Sequence, residues 1–343
     1  MDKTPLVSVA IPVHDCENFL IKCVRSVYAQ TYAAVELVLV DDGSKDSCCS
    51  LIERLRAERP SHVEVVVITH ERARGVSVAR NAAAAGASGE YLFFIDADDW
   101  IEPGCLEDMV AHAIEHDLEV CCGTHEYYHS ETDRETDFNT GGTDALYESS
   151  TAVARAYSEK NLSTFTWNKL MKRSLFGEGG LGFEESIMND EDQLWSFRLV
   201  MRVERWMTLG KLSYHYRKDN PTSITAESYT MRRLRNYYSV LGFMKEELAN
   251  GVDWSSERSV FIARGVLNFT KSILWHIEYE TDADYRSLYA EFKRKNILRT
   301  DGAAYRRLRG KNRFFAWGWD LPYPLSRCMS PYFLHKIKTR LVG

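Results

Sequence analysis

The sequence predicts an α/β fold: a mostly parallel sheet with flanking helices, followed by a helical C-terminal region. Two observations carry this prediction. Over roughly the first 118 residues, apolar runs of strand length alternate with segments of helical spacing. After Ser228, only long amphipathic patterns of helical period remain. A chain of 343 residues has room for two domains, which we expect at residues 1–225 and 226–343.

Four apolar runs predict the first four strands, because short runs of this kind are typical of strands buried on both faces of a sheet. They cover residues 6–13, 35–40, 63–68 and 91–95. Helices are predicted between them, at residues 17–30, 46–59 and 75–87. This alternation is typical of βαβ units, whose strands run parallel.

The pattern beyond this region is less regular and predicts a mixture of short elements. Strands are expected at residues 119–128, 165–171 and 211–217. Helices are expected at residues 149–158, 190–203, 231–250, 257–278 and 284–297. The polar residues 131–142 predict an exposed loop, and residues 177–182 predict a glycine-rich link.

Composition favours a reducing compartment. The eight cysteines include no Cys-x-x-Cys and form no legible disulfide or zinc framework, so we expect buried free thiols. The N-terminus lacks the charged region and long apolar core of a secretory signal, and no apolar run has the length of a membrane span. We therefore expect a cytoplasmic protein.

Charge is distributed unevenly along the chain. The formal net charge is −6, yet residues 305–341 contain nine Lys or Arg and a single acid, Asp320. An acidic body argues against general binding of nucleic acid. Aromatic residues lie among the bases of this segment, which suits peripheral docking on the anionic inner face of the cell membrane. A helical packing module or a dimer contact explains the same composition, and the sequence leaves this choice open.

Three acids follow the fourth predicted strand directly, in the order Asp96-Ala97-Asp98-Asp99. Open α/β sheets bind ligands at the carboxyl ends of their strands. Clustered carboxylates repel one another, and a hard divalent cation that can hold a diphosphate offsets this repulsion. The alternative is a strand-to-helix turn in which Asp98 or Asp99 caps the next helix.

Two further stretches bring polar groups towards the same edge. Asp41-Asp42-Gly43-Ser44 follows the second strand, where Gly43 permits a tight turn and Ser44 can cap a helix. A capped turn needs no second acid, so an aspartate here is a candidate acceptor for a nucleobase N–H. Arg80 interrupts a helix face of small residues and suits a phosphate or a carboxylate partner, as do Arg72 and Arg74. A solvated helix arginine is the alternative.

A second acidic cluster, Asp190-Glu191-Asp192, begins the helix predicted at residues 190–203. Acids at a helix start complement the helix dipole, but three exceed what that role requires. If this helix start faces the first cluster, one carboxylate can act as a general base. His215 lies in Tyr214-His215-Tyr216-Arg217 and is expected to be a packing residue rather than a metal ligand. The glycine-rich dinucleotide and Walker motifs are absent.

Together these motifs resemble family 2 glycosyltransferases, and more narrowly the bacterial enzymes that build capsular, exopolysaccharide and O-antigen glycans. The resemblance covers about residues 6–225. It rests on Val7-Ser8-Val9-Ala10-Ile11-Pro12-Val13, Glu17, Asp41-Asp42-Gly43-Ser44, Ala79-Arg80-Asn81, Asp96-Ala97-Asp98-Asp99, Trp167-Asn168-Lys169-Leu170, Glu191-Asp192 and Tyr216-Arg217. It implies a GT-A fold, a nucleotide-sugar donor such as a UDP-sugar, Mn²⁺ or Mg²⁺ as cofactor, and inversion at the anomeric carbon. The implied acceptor is a hydroxyl of a glycan or of a lipid-linked molecule.

The resemblance also implies roles for individual residues. The implied donor-binding residues are Pro12, Val13 and Asp42 at the base, Arg80 at the diphosphate and Asp96 at the ribose. The implied metal ligands are Asp98 and Asp99. The implied catalytic residues are Asp192, as the base that deprotonates the acceptor, and Glu191 beside it.

Two positions depart from the family pattern. The Tyr-Asn that commonly follows the first strand is His14-Asp15 here, and a common Asn two positions before Gly75 is Ala73. Both lie near the expected donor site, so they put the identity of the base or sugar in doubt. A nucleotidyltransferase is an alternative function that also needs a nucleotide and a metal, although the loop after the first strand lacks its glycines. A non-catalytic module that binds nucleotide-sugars is another.

Overall fold

The structure is a computed structural model that describes residues 4–137, 142–177, 179–187, 190–220, 231–251 and 256–276. The helix expected at residues 284–297 and the basic, aromatic segment 305–341 lie outside these ranges. Within them, the chain forms ten strands, which belong to one sheet, and eight α-helices. The α/β fold class is thus confirmed.

The strands are β1 (Val7–Val13), β2 (Val35–Asp41), β3 (Val63–Thr69), β4 (Tyr91–Phe94), β5 (Trp100–Ile101), β6 (Val120–Ser130), β7 (Asp133–Asp137), β8 (Ala145–Tyr147), β9 (Lys169–Lys172) and β10 (Trp206–Arg217). The helices are α1 (Leu20–Tyr28), α2 (Cys48–Ala57), α3 (Val76–Gly86), α4 (Cys105–Glu115), α5 (Ser150–Ser158), α6 (Glu191–Val200), α7 (Met231–Gly251) and α8 (Glu257–His276).

The N-terminal half of the sheet is parallel, in the order β3-β2-β1-β4. Strands β1 and β2 are almost wholly buried, as the continuous apolar runs predicted. The first three helices each begin and end within three residues of the predicted bounds. In α1, the buried residues Leu20, Cys23, Val24 and Val27 follow the spacing of one helical face.

The second half of the sheet is mixed, and here several sequence predictions were wrong. Strand β9 lies antiparallel between β4 and β6, and β10 lies parallel to β6. The loop expected at residues 131–142 contains β7, which pairs with β6 through backbone groups that leave no apolar pattern. Strand β9 is shorter than expected because Asn168 adopts a left-handed conformation, with φ of 60°. Strand β10 begins five residues earlier than predicted.

Two compact units divide the chain. One comprises Met1–Val153 and Asn161–Ala226, and the other comprises Ala154–Lys160 and Glu227–Gly343. The domain boundary expected at residues 225 and 226 stays a prediction, because residues 221–230 lie outside the described ranges. In the second unit, α8 packs closely against Tyr157: a Cβ on Gly265 would lie 2.3 Å from its ring. No helix in the described part of the chain combines the length and apolarity that crossing a bilayer requires.

Seven cysteines belong to the described residues, and all are free thiols. Five are buried, as predicted, while Cys16 is partly exposed and Cys49 is exposed. Most of the buried ones pack among the apolar residues of the core beneath the parallel strands.

A buried carboxylate joins the centre of the sheet to the start of β4. Glu36, on β2, accepts hydrogen bonds from the hydroxyl of Ser8 on β1 and from the backbone and side chain of Ser88, at 2.9 and 2.5 Å. The Ser8 hydroxyl in turn accepts one from the Gly89 amide, at 2.8 Å. Only 6% of Glu36 is exposed. Every group in this cluster therefore has a partner, as buried polar groups require.

We expect Glu36→Ala to lower the free energy of unfolding by about 1–3 kcal/mol, because it leaves the buried hydroxyl of Ser8 without its acceptor and removes both hydrogen bonds to Ser88. Denaturant titration followed by circular dichroism measures this change. The matched control is Glu64→Ala, since Glu64 lies opposite Glu36 on β3 but is exposed. The control should change stability by less than about 0.5 kcal/mol. Equal effects of the two substitutions would contradict the assigned role of Glu36.

Candidate active site

The loops that follow β1, β2 and β4 meet at one edge of the sheet. Strand β1 lies between β2 and β4 and runs parallel to both, so their carboxyl ends point the same way. Open α/β sheets bind their ligands at this edge, outside the carboxyl ends of the parallel strands. The sequence predictions placed most candidate residues in these loops, and the structure brings them to this edge.

The loop after β1 is held by the loop after β2. Asp15 has a positive φ of 46°, and its carboxylate accepts a hydrogen bond from the Lys45 amide at 2.7 Å. Glu17 and Asp46 make reciprocal contacts with the opposite loop through backbone amides. Pro12 is partly exposed at this edge, while Val13 is buried and its carbonyl accepts from the Asp42 amide at 2.8 Å. These hydrogen bonds therefore hold the two loops together beside the candidate base-binding residues.

Asp42 is buried and organises the start of α3. Its carboxylate accepts hydrogen bonds from the backbone amides of Arg74, at 3.0 Å, and of Gly75, at 2.7 Å. The ring of His70 contacts the same carboxylate at 2.7 Å. A carboxylate suits this position because the amides at a helix start lack intrahelical partners. Asp42 thus stabilises the loop before α3, and this role does not depend on binding a nucleobase.

Gly43 permits this arrangement, as predicted. Its φ is 66°, and a Cβ at this position would lie 2.4 Å from the carbonyl carbon of Arg72. A side chain would therefore separate the turn after β2 from the loop before α3. Arg72 and Arg74 are both exposed in that loop.

The three acids after β4 have different surroundings. Asp96 is partly exposed, and its backbone amide donates to the hydroxyl of Tyr214 at 3.2 Å. Asp98 accepts a hydrogen bond on Oδ2 from the side-chain amide of Asn220, at 2.8 Å. Among the described residues, Asn220 is the side chain that donates to this carboxylate, and no second side-chain donor is seen. The carboxylate of Asp98 therefore retains acceptor capacity for a ligand.

Asp99, in contrast, is fully buried. Its Oδ2 accepts from the Tyr214 hydroxyl at 2.6 Å, and its Oδ1 accepts from the Arg217 amide at 2.8 Å. Burial, together with the charges of Asp98 and Asp96, raises its pKa well above the ordinary value. This geometry favours Asp99 as a support that joins the acidic loop to β10, and it favours Asp98 over Asp99 as a metal ligand.

Arg80 joins the two acidic clusters. Its Nη2 lies 2.9 Å from Asp96 Oδ1, and its Nη1 lies 2.6 Å from Glu191 Oε1. Arg80 is 5% exposed and Glu191 is 9% exposed. The N–H donors of the planar guanidinium point outwards along different edges, so it can hold two carboxylates at once. The start of α6 therefore lies beside the loop after β4, as the hypothesis of a facing general base required.

The segment before α6 is fixed to the sheet by side chains. The amide group of Asn81 donates to the carbonyl of Phe183 at 3.0 Å and accepts from its amide at 2.8 Å. The Phe183 ring packs edge-on to Phe94 of β4 and stacks on Trp195 of α6, with centroids 5.6 and 5.3 Å apart. Helix α6 is thereby positioned over β4 through aromatic packing.

Asp192 is half-buried next to Glu191. Burial, followed by the negative charges of Glu191 and Asp190, raises the pKa of Asp192 to about 8. A carboxylate with this pKa is a stronger base than an ordinary aspartate and still ionises near neutral pH. Beneath this region lies Lys169, which is fully buried and donates to the Phe165 carbonyl. Burial lowers the pKa of Lys169.

Several residues that support the site were not singled out from the sequence with these roles. Tyr214 and Asn220 contact the acidic loop, and His70 contacts Asp42. His215 is buried between Glu126 and Glu102, 2.7 and 2.6 Å from its ring nitrogens, which agrees with the expected packing role. Tyr214 lies in the strand predicted at residues 211–217, and this place in the pattern was only a weak indication of its role. Asn220 and His70 had none, because their contacts exist only in the folded chain.

The residues around Asp98 fit a hard divalent cation. Burial and the charge of Asp96 raise the pKa of Asp98, and the hydrogen bond from Asn220 offsets only part of this rise. A cation here would relieve the repulsion between the two carboxylates. Carboxylate oxygen is also the donor that Mg²⁺ and Mn²⁺ prefer.

The chain is similar in sequence to known glycosyltransferases. The family model described as "Glycosyl transferase family 2" matches residues 8–180. The glycosyltransferase EpsJ of Bacillus subtilis is 28% identical over 262 residues, which cover 71% of this chain and 74% of EpsJ.

Solved structures share the fold. Residues 1–349 of TarS from Staphylococcus aureus, in complex with UDP-GlcNAc, superimpose with a TM-score of 0.76 at 19% identity, covering 98% of this chain and 92% of that fragment. The mannosyltransferase PcManGT from Pyrobaculum calidifontis, in complex with GDP-Man and Mn²⁺, has a TM-score of 0.57 at 16% identity, covering 99% and 87%. The GT-A fold is therefore confirmed. With the family model spanning half of its length, the chain belongs to glycosyltransferase family 2, the family that its acidic motifs resemble.

Proposed function

We propose that this glycosyltransferase moves a sugar from a UDP-sugar to a hydroxyl of a glycan or lipid-linked acceptor, with inversion and with a divalent metal. The transferred group would be a hexose or an N-acetylhexosamine, in the biosynthesis of a bacterial surface polysaccharide. The observation that carries this proposal is the double ion pair of Arg80, which holds the Asp96 and Glu191 clusters side by side. A transferase of this type needs both clusters at one centre: one for the departing diphosphate and one for the arriving hydroxyl.

The donor end of the proposed site is the loop after β4. Asp98 is our candidate metal ligand, and the bound Mn²⁺ or Mg²⁺ would neutralise charge that develops on the diphosphate leaving group. Asp96 would face the ribose, and Pro12, Val13 and Asp42 would border the base. Asp99 would keep the loop in place through Tyr214 and β10. Because Arg80 is already bonded to two carboxylates, we assign it a positioning role rather than direct contact with the diphosphate.

The acceptor end is the start of α6. We assign Asp192 as the general base that takes the proton from the incoming hydroxyl, so that its oxygen attacks the anomeric carbon as the bond to the diphosphate breaks. Attack from the side opposite the leaving group inverts the configuration. Glu191 is engaged with Arg80 and would orient the helix start. The raised pKa of Asp192 supports this assignment over Glu191.

The comparisons supply support for the choice of donor. TarS was solved with UDP-GlcNAc, and PcManGT with GDP-Man and Mn²⁺. Both share the fold with this chain at low identity, so they support a nucleotide-sugar and a metal without fixing either. Departures at His14-Asp15 and Ala73 lie beside the proposed base pocket, so a panel of UDP-, GDP- and dTDP-sugars is the appropriate first assay.

We expect Asp98→Asn to lower metal-dependent release of nucleotide from the preferred donor by about 100-fold or more, because one ligand of the cation is lost. Release is measured across the donor panel with Mn²⁺ or Mg²⁺, and binding of free UDP with and without metal is measured by calorimetry. Asp117→Asn, at an exposed site outside the cluster, is the control. Metal-independent turnover in the parent enzyme, or full activity of Asp98→Asn, would contradict the metal site.

We expect Asp192→Asn to reduce kcat by about 10²–10⁴-fold while the chain still binds the donor, because the general base is lost. In the parent enzyme, kcat/KM should rise with pH and level off above about 8, since Asp192 accepts a proton only after losing its own. Asp190→Asn removes a neighbouring charge that raises this pKa, so it should retain activity and shift the rise to lower pH. An unchanged rate in Asp192→Asn would favour another base or a non-catalytic binding module.

We further propose that residues 305–341, outside the described part of the chain, dock on an anionic membrane surface. Cosedimentation of the full chain with vesicles that contain anionic lipid should detect this binding at low salt, with loss at high salt as charge is screened. Neutral vesicles are the control. Absence of binding to anionic vesicles at moderate salt would leave the helical packing or dimer contact as the explanation.

A further inference from the structure

We propose that the C-terminal end of α4 forms a binding site for a transition-metal cation of the Zn²⁺ class, built from His112, Glu115 and His116. These side chains each offer one nitrogen or oxygen, and the three atoms lie within 4.8 Å of one another. The site consists of different residues from the acidic cluster after β4 and has a different donor set. Neither the family match nor the proposed transfer reaction assigns it a role.

The helix places the three residues on one face. Positions i, i+3 and i+4 are neighbours on a helix surface, so His112, Glu115 and His116 project together. The two imidazole rings are nearly parallel, at 5°, with centroids 6.1 Å apart. Zinc peptidases use the same His-x-x-Glu-His spacing, which shows that one helical turn can present two imidazoles to one ion.

The distances are close to those that a metal requires. Zn–N and Zn–O bonds of about 2.0–2.2 Å place the ligand atoms of a tetrahedral site about 3.3–3.6 Å apart. The three atoms therefore need to approach by only a little more than about 1 Å. Glu115 can make this movement, because its side chain is 68% exposed. The movement required is a rotation of side chains that already lie within one turn of helix.

The three side chains are also available for a ligand. Burial leaves Nδ1 of His112 away from solvent, and within the described residues it has no hydrogen-bond partner. The contact between Glu115 and His116 is long, at 4.0 Å. The neighbouring charges have partners of their own: Asp117 pairs with Lys172 at 2.5 Å, and Arg205 pairs with Glu148 at 3.4 Å. Arg205 Nε also donates to the backbone carbonyl of His116 at 2.9 Å, which leaves the imidazole of His116 unengaged by this arginine.

Two other histidines, His70 and His215, make short contacts with carboxylates instead. His70 contacts Asp42, and His215 lies between Glu102 and Glu126, each at hydrogen-bond distance. A cation there would have to displace a short existing contact. At the end of α4, a cation would instead replace the weak contact between Glu115 and His116.

The position also suits positive charge. Helix α4 ends at Glu115, and His116 follows as its C-cap. The aligned peptide dipoles of a helix give its C-terminal end partial negative charge, which favours a cation. Two imidazoles and one carboxylate select Zn²⁺, Ni²⁺ or Cu²⁺ over Mg²⁺, which prefers oxygen donors alone.

The test is calorimetric titration of ZnCl₂ into the metal-free full chain, produced without a polyhistidine tag. The titration uses the Asp98→Asn background, so that the acidic cluster does not contribute. We expect one Zn²⁺ site that excess Mg²⁺ does not displace. His112→Ala and His116→Ala should each weaken it by at least about 10-fold, since losing even an outer-shell partner of a metal ligand costs about 10–100-fold. Zn²⁺ should also raise the midpoint of thermal unfolding in the Asp98→Asn protein, which is the parent of these variants, but not in the variants themselves.

His62→Ala is the matched control, because His62 is exposed and lies outside the cluster. It should bind Zn²⁺ as the parent does. Glu115→Gln keeps the size of the side chain and should weaken binding without altering the far-ultraviolet circular dichroism. Equal affinity of the parent and both histidine variants, or no binding of Zn²⁺ by the parent, would overturn the proposal. None of these readouts depends on transferase activity, so the two proposals fail independently.

Discussion

The ion pairs of a single buried arginine determine the geometry of this site. Arg80 is surrounded by protein, and removing a guanidinium from water costs several kcal/mol unless charged partners compensate for it. Asp96 and Glu191 supply those partners from opposite sides. The position of α6 relative to β4 therefore depends on charge balance as much as on apolar packing. Aromatic contacts of Phe183 then hold the same elements together without adding charge.

Acids that are adjacent in sequence have quite different environments here. Asp96 pairs with an arginine, Asp98 accepts from one side chain among the described residues, and Asp99 is buried with both oxygens bonded. Successive residues in an extended or turning chain face different directions, so neighbours in sequence need not share a role. The cluster thus combines a ligand position with its own support, and that support extends to β10 through Tyr214 and the Arg217 amide.

The sequence was sufficient for the parallel half of the sheet, because continuous apolar runs such as Val7–Val13 have one stable solution in a covered sheet. It was also sufficient to find both acidic clusters, since charged residues at the ends of apolar elements stand out from the pattern. It was not sufficient for β7, whose polar residues pair through backbone groups. Nor could it supply the partners of the site, such as Asn220, because a hydrogen bond between residues 122 positions apart depends on tertiary structure alone.

The place of β9 in the sheet has a consequence for how the chain is synthesised. Strand β9 separates β4 from β6, yet both of these precede it in the chain. About 75 residues must leave the ribosome after Phe94 before Lys169–Lys172 can cover the open edge of β4. At about 5–20 residues per second, this edge stays unpaired for roughly 4–15 s. An apolar strand edge exposed for that time can pair with another nascent chain. The strands β1–β4 are therefore most open to pairing with another chain in the interval before β9 is synthesised.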